Sequence, residues 1–308
     1  MTTPRQLSFD LDPSDPMART LGRGAFEATP VHVGQILTKA SGFMEDYDYT
    51  LNPYSGCGFG CTYCYAAFFA KDAERRDQWG IWVDVKKNAM DVLNRPRQRA
   101  KLDDARIYMS SVTDAYQPVE RELCLTRGLL EIMADGHRPK LVVQTRSPDV
   151  TRDVDLFRQI EANGGRVQVN MSITTDNETV RKTFEPQCPS NAQRLRALET
   201  VHEAGIQTCI TLCPLLWTDD AQQLALSLIA TGVKRIIIQP FKFKTGKFVA
   251  QTRQGALDLM SELLGCPNSL IEREYMKRYT ATRQILRDIA RENRVWLGEE
   301  KDGFAPPF

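Results

Sequence analysis

Between Tyr47 and Gln239, short apolar and β-branched runs alternate with helical stretches, and this alternation restricts the fold more than any other feature. The expected strands are Tyr49–Pro53, Ile107–Ser111, Leu141–Thr145, Val167–Thr174, Gln207–Cys213 and Arg235–Gln239. Near-continuous apolar character is what a strand covered on both faces carries. Helix signals fill the gaps between them. Asp219 and Asp220 stand at an N-cap ahead of Leu224, Leu228 and Ile229, while Gly164–Gly165 and Gly205 follow the ends of helices. Six βα units joined in this way imply a parallel sheet with right-handed crossovers. Two arrangements satisfy that pattern: an open doubly wound sheet, or a barrel with missing staves.

The flanks read differently. Residues 1–40 hold Pro4, Pro13, Pro16 and Pro30 with scattered charges and no strong period, which suggests a loosely structured leader wrapped on the domain. The part-barrel is expected over residues 41–245, and residues 246–308 as a C-terminal helical extension. In that extension Gly255–Trp296 reads as two helices split near Gly265–Pro267, followed by a polar tail to Phe308. With 40 Lys+Arg against 39 Asp+Glu, the chain has no overall pull towards nucleic acid or acidic membranes. The longest apolar runs, such as Leu224–Ala230, fall far short of a membrane span. Met1–Asp15 lacks the basic start and apolar core of a signal peptide, so a cytoplasmic, reducing location is expected. There, eight cysteines read as metal ligands or reactive thiols before they read as disulfides.

Three of those cysteines lie in the segment Asn52-Pro53-Tyr54-Ser55-Gly56-Cys57-Gly58-Phe59-Gly60-Cys61-Thr62-Tyr63-Cys64-Tyr65. The spacing is C-x3-C-x2-C, in a loop with three glycines that admit positive φ and a close backbone approach to cluster sulfides. A [4Fe–4S] cluster held by Cys57, Cys61 and Cys64 leaves one iron free for another ligand. Structural zinc needs a fourth ligand, and His32, His137 and His202 are isolated in sequence. Cysteines buried by coincidence are the remaining reading.

On these residues the chain resembles the radical S-adenosylmethionine superfamily, whose signature is C-x3-C-x-aromatic-C after the first strand of a partial (β/α)6 barrel. Cys57, Cys61, Tyr63 and Cys64 match it position for position. The resemblance implies S-adenosylmethionine on the open iron, reductive cleavage to a 5′-deoxyadenosyl radical, and hydrogen abstraction from substrate. Further segments look like the branch related to spore photoproduct lyase. They are Ser110–Pro118, Thr145-Arg146-Ser147, Arg152-Asp153, Asn170–Thr174, Phe184-Glu185-Pro186 and Arg194-Leu195. Several fall at the carboxyl ends of expected strands, where barrel enzymes gather their sites; helix capping and turn chemistry account for each taken singly. Carried over by resemblance, Tyr63 contacts the adenine, and Thr113 and Asp114 hold the methionyl ammonium. Arg146 faces the methionyl carboxylate, and Ser172 the ribose hydroxyls. Tyr63 and Tyr65 match the tyrosine pair of the lyase relay. The hydrogen-donor cysteine of the lyase does not match, because Ser111 stands in its place and a serine O–H bond is too strong to replace a thiol.

The other thiols are Cys124, Cys188, Cys209, Cys213 and Cys266. Cys209, Thr211 and Cys213 share one strand face, so Cys213 reaches the substrate if that face points inward and otherwise packs inertly. A second cluster from Cys188, Cys209, Cys213 and Cys266 is conceivable but lacks tight spacing, and Cys124 reads as core. Lys234–Arg253 holds six basic residues and no acidic one, with Phe241, Phe243 and Phe248 interleaved. It suits nucleic-acid phosphates and bases, or a hairpin with its lysines solvated. The substrate expectation is a nucleic-acid base or lesion, with a peptide or small metabolite as the alternative. A reductase or flavodoxin-type partner would supply electrons. Outside this class stand a zinc-binding interaction module and a non-catalytic iron–sulfur electron carrier.

Overall fold

The computed structural model describes residues 26–243 and 252–308. Eleven strands form among them: β1 Glu27–Val31, β2 Leu37–Lys39, β3 Tyr49–Leu51, β4 Tyr54–Gly56, β5 Trp82–Lys86, β6 Arg106–Met109, β7 Lys140–Thr145, β8 Arg166–Ser172, β9 Gln207–Leu215, β10 Arg235–Pro240 and β11 Trp296–Glu299. Eight of them make one sheet in the order β11-β10-β9-β8-β7-β6-β3-β2. Every neighbouring pair is parallel except β2 on β3. This is the partial (β/α)6 barrel, with its six expected strands as β3, β6, β7, β8, β9 and β10.

Two expectations need correction. The C-terminal extension is not purely helical: after the helices Gln254–Leu264 and Ile271–Glu292, the supposed polar tail adds β11 to β10 in parallel register. The N-terminal leader likewise contributes β1 to a small sheet of order β1-β5-β4, and β2 to the edge of the barrel. These strands are short, and β1 pairs with β5 far along the chain, so local sequence carries little trace of the pairing. Residues 1–25 and 244–251, including Lys244, Lys247 and Phe248, lie outside the described residues.

The two faces of the barrel sheet differ in chemistry. Ile107, Met109, Leu141, Val143, Val169, Met171, Ile210, Leu212, Ile236 and Ile238 belong to the main buried apolar cluster beneath the helices. The alternate positions point into the lumen and are largely polar. Tyr108 Oη donates to Gln144 Oε1 at 2.8 Å, and Gln144 Nε2 donates to Ser172 Oγ and Thr211 Oγ1, each at 2.9 Å. Below them Gln207 Nε2 donates to Gln168 Oε1, and Gln168 Nε2 to Asn170 Oδ1, both at 2.7 Å. Each of these lumen amides thus finds a partner, without which burial would be costly.

Edge strands β2 and β11 are not bonded to each other, so the barrel has a gap. It is covered by the turn Gly42–Met44 after β2 and the short helix Glu300–Gly303 after β11. Phe43 and Phe304 meet edge-on there, ring centroids 5.5 Å apart, and Lys301 pairs with Glu45.

Candidate functional site

The carboxyl ends of the barrel strands open into a cavity of about 370 Å³. Its wall includes Cys57, Cys61 and Cys64, together with Tyr63, Tyr65, Thr113, Asp114, Arg146, Ser172 and Cys213. All ten residues singled out in the sequence therefore share one cavity. How their side chains are engaged differs from residue to residue.

The cysteine loop is held by its backbone. Gly58 N–H donates to Gln117 Oε1 at 2.8 Å, and Thr113 Oγ1 donates to the Gly56 carbonyl at 2.6 Å. Thr62 N–H donates to the Phe184 carbonyl at 2.9 Å. Arg253, across the barrel, donates to the carbonyls of Cys61 at 2.8 Å and Thr62 at 3.1 Å. Glycine is required at two points: Gly56 has φ +77°, and a Cβ on Gly58 would meet the Phe26 ring at 2.7 Å. Burial pushes the Cys57 thiol up, and Cys64 up to about 11, whereas the contact with Cys188 holds Cys61 below its ordinary value.

Asp114 is 5% exposed and sits among donors. Its carboxylate accepts from Thr145 Oγ1 at 2.7 Å and from the backbone N–H groups of Tyr116 and Arg146 at 2.9 Å. Burial raises its carboxyl pKa against those hydrogen bonds. The backbone turns towards this rim at Ser110, where φ is +73° in a residue other than glycine, a costly conformation of the kind found at functional sites. Ser172 Oγ, on the lumen face, pairs with Gln144 and lies 3.2 Å from Thr211 Oγ1.

Tyr63 lines the cavity with its ring and turns its hydroxyl onto Glu185 Oε1 at 2.5 Å. Arg146 Nη1 reaches both Tyr63 Oη and Glu185 Oε1 at 3.0 Å. Glu185 is fully buried and also accepts from Thr174 Oγ1 at 2.7 Å and Arg194 Nη2 at 2.5 Å. Burial alone would raise its pKa, but Arg194, Arg146 and the two hydroxyl donors outweigh it and hold the carboxyl down at about 2. Tyr65 donates its hydroxyl to the Ser111 carbonyl. Cys213 Sγ donates to the Ile237 carbonyl at 3.7 Å, and burial raises its pKa well above the ordinary value, so the group is a thiol.

Sequence reasoning did not assign the roles of Glu185, Gln117, Arg253 and Cys188. Gln117, Glu185 and Arg194 carried a signal, as members of segments shared with the resembling branch. Cys188 does not join Cys209, Cys213 and Cys266: its Sγ lies 3.6 Å from Cys61 Sγ. Among the described residues no group of three or more His, Cys, Asp or Glu side chains converges as a single-ion site. The basic stretch is largely engaged where it is described. Arg235 stacks on Trp296 at 4.0 Å, Lys242 pairs with Glu300 at 3.1 Å, and Arg253 turns onto the cysteine loop. Phe241 and Phe243 pack on Tyr275.

A parallel part-barrel with three cysteines in the loop after its first strand, all facing one cavity, describes a class of enzymes that use iron–sulfur chemistry. The family model of the radical SAM superfamily matches residues 51–227, more than half of the chain, and the chain belongs to that superfamily. Membership implies an iron–sulfur cluster, S-adenosylmethionine and radical catalysis. Three soft thiol donors in a glycine loop fit such a cluster. Among curated relatives, an uncharacterized protein of Methanocaldococcus jannaschii is 37% identical over 168 residues, covering 54% of this chain and 60% of its own. One from Mycobacterium tuberculosis is 26% identical over 182 residues, covering 58% and 53%. The chain therefore spans little more than half the length of these relatives. Among solved structures, a spore photoproduct lyase mutant with bound AdoMet and dinucleoside spore photoproduct superposes with a TM-score of 0.59. It is 14% identical, with 89% of this chain and 81% of that one covered, a likeness of fold. No helix among the described residues is long and apolar enough to cross a membrane.

Proposed function

We propose that this protein cleaves S-adenosylmethionine reductively and uses the product radical to take hydrogen from a compact substrate group. The observation that carries the reading is the single cavity that Cys57, Cys61 and Cys64 share with Cys213 and Tyr65. When bound, a [4Fe–4S] cluster and S-adenosylmethionine supply a 5′-deoxyadenosyl radical, given one electron from a reductase or flavodoxin-type donor in a reducing compartment such as the cytoplasm. Cys57, Cys61 and Cys64 hold the cluster. Asp114, with Thr113 beside it, presents a buried carboxylate to the methionyl ammonium. Arg146 brings positive charge towards the methionyl carboxylate while Glu185 fixes its guanidinium. Tyr63 offers a ring face to the adenine, and Ser172 a hydroxyl to the ribose. The cavity walls shield from bulk water a radical that would otherwise be quenched.

Cys213 is the hydrogen donor in this reading, replacing the thiol that Ser111 cannot supply. Its S–H would give one hydrogen atom to the product radical, and the Tyr65 hydroxyl, in the same cavity, would give one to the resulting sulfur radical. The tyrosyl radical so formed would regain the atom first abstracted from substrate, taken back from 5′-deoxyadenosine, which balances the hydrogen atoms and the unpaired electron. With Cys213→Ala we expect cleavage of S-adenosylmethionine to persist while substrate-derived product falls on the order of tenfold or more, about 1.4 kcal/mol or more in barrier. Unchanged product yield would remove Cys213 from the mechanism.

For the substrate, the likeness to a lyase bound to a dinucleoside favours a single nucleobase or base lesion. The cavity is near the small end of the range for ligand sites and must also hold the cofactor, which suits one flat group rather than a duplex. A small metabolite or peptide side chain is the second reading, favoured by the neutralisation of Lys242 by Glu300 at the cavity wall. Anaerobic reconstitution, addition of dithionite and S-adenosylmethionine, and assay for 5′-deoxyadenosine test the chemistry. Retention on single-stranded or ultraviolet-damaged DNA that weakens with salt is expected for the first substrate reading. No retention at low salt would transfer the proposal to the second.

A further inference from the structure

We propose that Cys188 is a positioning residue that donates an S–H···S hydrogen bond to the Cys61 sulfur and thereby raises the reduction potential of the cluster. The inference rests on the cluster reading above and adds a residue outside the three-cysteine motif.

The geometry is specific. Cys188 Sγ lies 3.6 Å from Cys61 Sγ, and both residues are buried. Without metal, either sulfur can be the donor. A ligating cysteine is a thiolate and has no proton to give, so with a cluster in place Cys61 can only accept. The proton of the pair must then sit on Cys188. Its other acceptor within reach, the Phe59 carbonyl, is farther away at 4.0 Å and carries no formal charge.

Both partners are held independently of that contact. The Cys188 backbone N–H donates to the Glu185 carbonyl at 3.1 Å, and its own carbonyl accepts from Arg181 Nη1 at 2.8 Å. Arg253 Nη2 donates to the Cys61 carbonyl at 2.8 Å. The thiol therefore approaches the sulfur from a fixed frame, as outer-shell partners of metal ligands do. Hydrogen bonds to cluster sulfurs stabilise the more negative, reduced form, so they raise the potential. In a reaction that starts with one electron entering the cluster, that matters directly.

The test compares the parent with Cys188→Ala, Cys188→Val and Cys188→Ser after anaerobic reconstitution, by iron and sulfide content and by spectroelectrochemical titration. Alanine and valine remove the donor without and with the side-chain volume, so both are expected to titrate at lower potential than the parent. Serine keeps a donor and is expected to lie between them and the parent. All four proteins are expected to carry the same iron and sulfide. A donor-free variant with full iron and sulfide and the parent's potential would overturn the assignment. Absence of iron and sulfide from the parent would instead overturn the cluster reading, and this inference with it.

Discussion

Replacing Cys57 or Cys64 by alanine is expected to reduce 5′-deoxyadenosine formation to background, with iron and inorganic sulfide lost in parallel. In the proposed reading the cluster would use all three thiols of the loop, so removal of one would leave two iron atoms without a protein ligand instead of one. The Gln117 side chain accepts from the loop backbone and the Thr113 and Arg253 side chains donate to it, which shapes the loop whether or not metal is present, so these variants should keep their fold. Circular dichroism close to the parent's, combined with loss of the visible absorption, would show that the chemistry and not the scaffold was lost. Cys61 is a special case because Cys188 lies beside it. A thiol at that distance can stand in as ligand, so Cys61→Ala should be made together with Cys188→Ala. Full cleavage of S-adenosylmethionine in Cys57→Ala or Cys64→Ala would move the cluster off this loop.

The second large effect is expected at Glu185→Gln. One buried carboxylate compensates Arg146 and Arg194, and the latter side chain is itself fully buried. An amide in its place leaves two guanidinium groups short of charge, and breaking a buried pair in this way costs about 3–5 kcal/mol. Thermal unfolding should fall by on the order of 5–10 °C. The loss depends on pH. In the unfolded chain the carboxyl has its ordinary value of 4.5, against about 2 in the fold. Its stabilisation is therefore complete above about 4.5 and disappears as pH falls from there towards 2. The gap between parent and variant should be widest near neutrality and narrow steadily through that window. A gap that stays constant from pH 7 to about 3 would show that Glu185 is not the ionised partner.

The six expected barrel strands were legible because most carry buried β-branched or aliphatic residues on at least their outer face and are bounded by helix and turn signals. β1, β2 and β11 were not, because each is an edge strand of three to five residues whose partner lies elsewhere in the chain. In the site, the cysteine spacing was legible because cluster ligation imposes it on consecutive residues. Asp114 and Ser172 could be placed through their positions at strand ends. Glu185 and Arg253 act through contacts that join segments far apart, and spacing along a chain is blind to such contacts. The role of Arg253 was hidden for the same reason: it looks like surface charge until the fold turns it onto two carbonyls of the cysteine loop. Cys188 looked like one of five scattered thiols, and only proximity separates it from Cys209 or Cys266.

The contrast between the two faces of the barrel sheet has a consequence for how such a scaffold can diversify. Folding energy is concentrated on the outer side, where Ile107, Leu141, Val169 and Ile210 are sealed under helices. The inner side, with Gln144, Thr211 and Gln239, contributes mainly amides and hydroxyls to the cavity. Exchanges on that lining that keep its hydrogen bonds satisfied should change which molecule is accepted at little cost to the melting temperature. New specificities are therefore thermodynamically inexpensive for this architecture, and a library restricted to the lumen is the natural place to look for them.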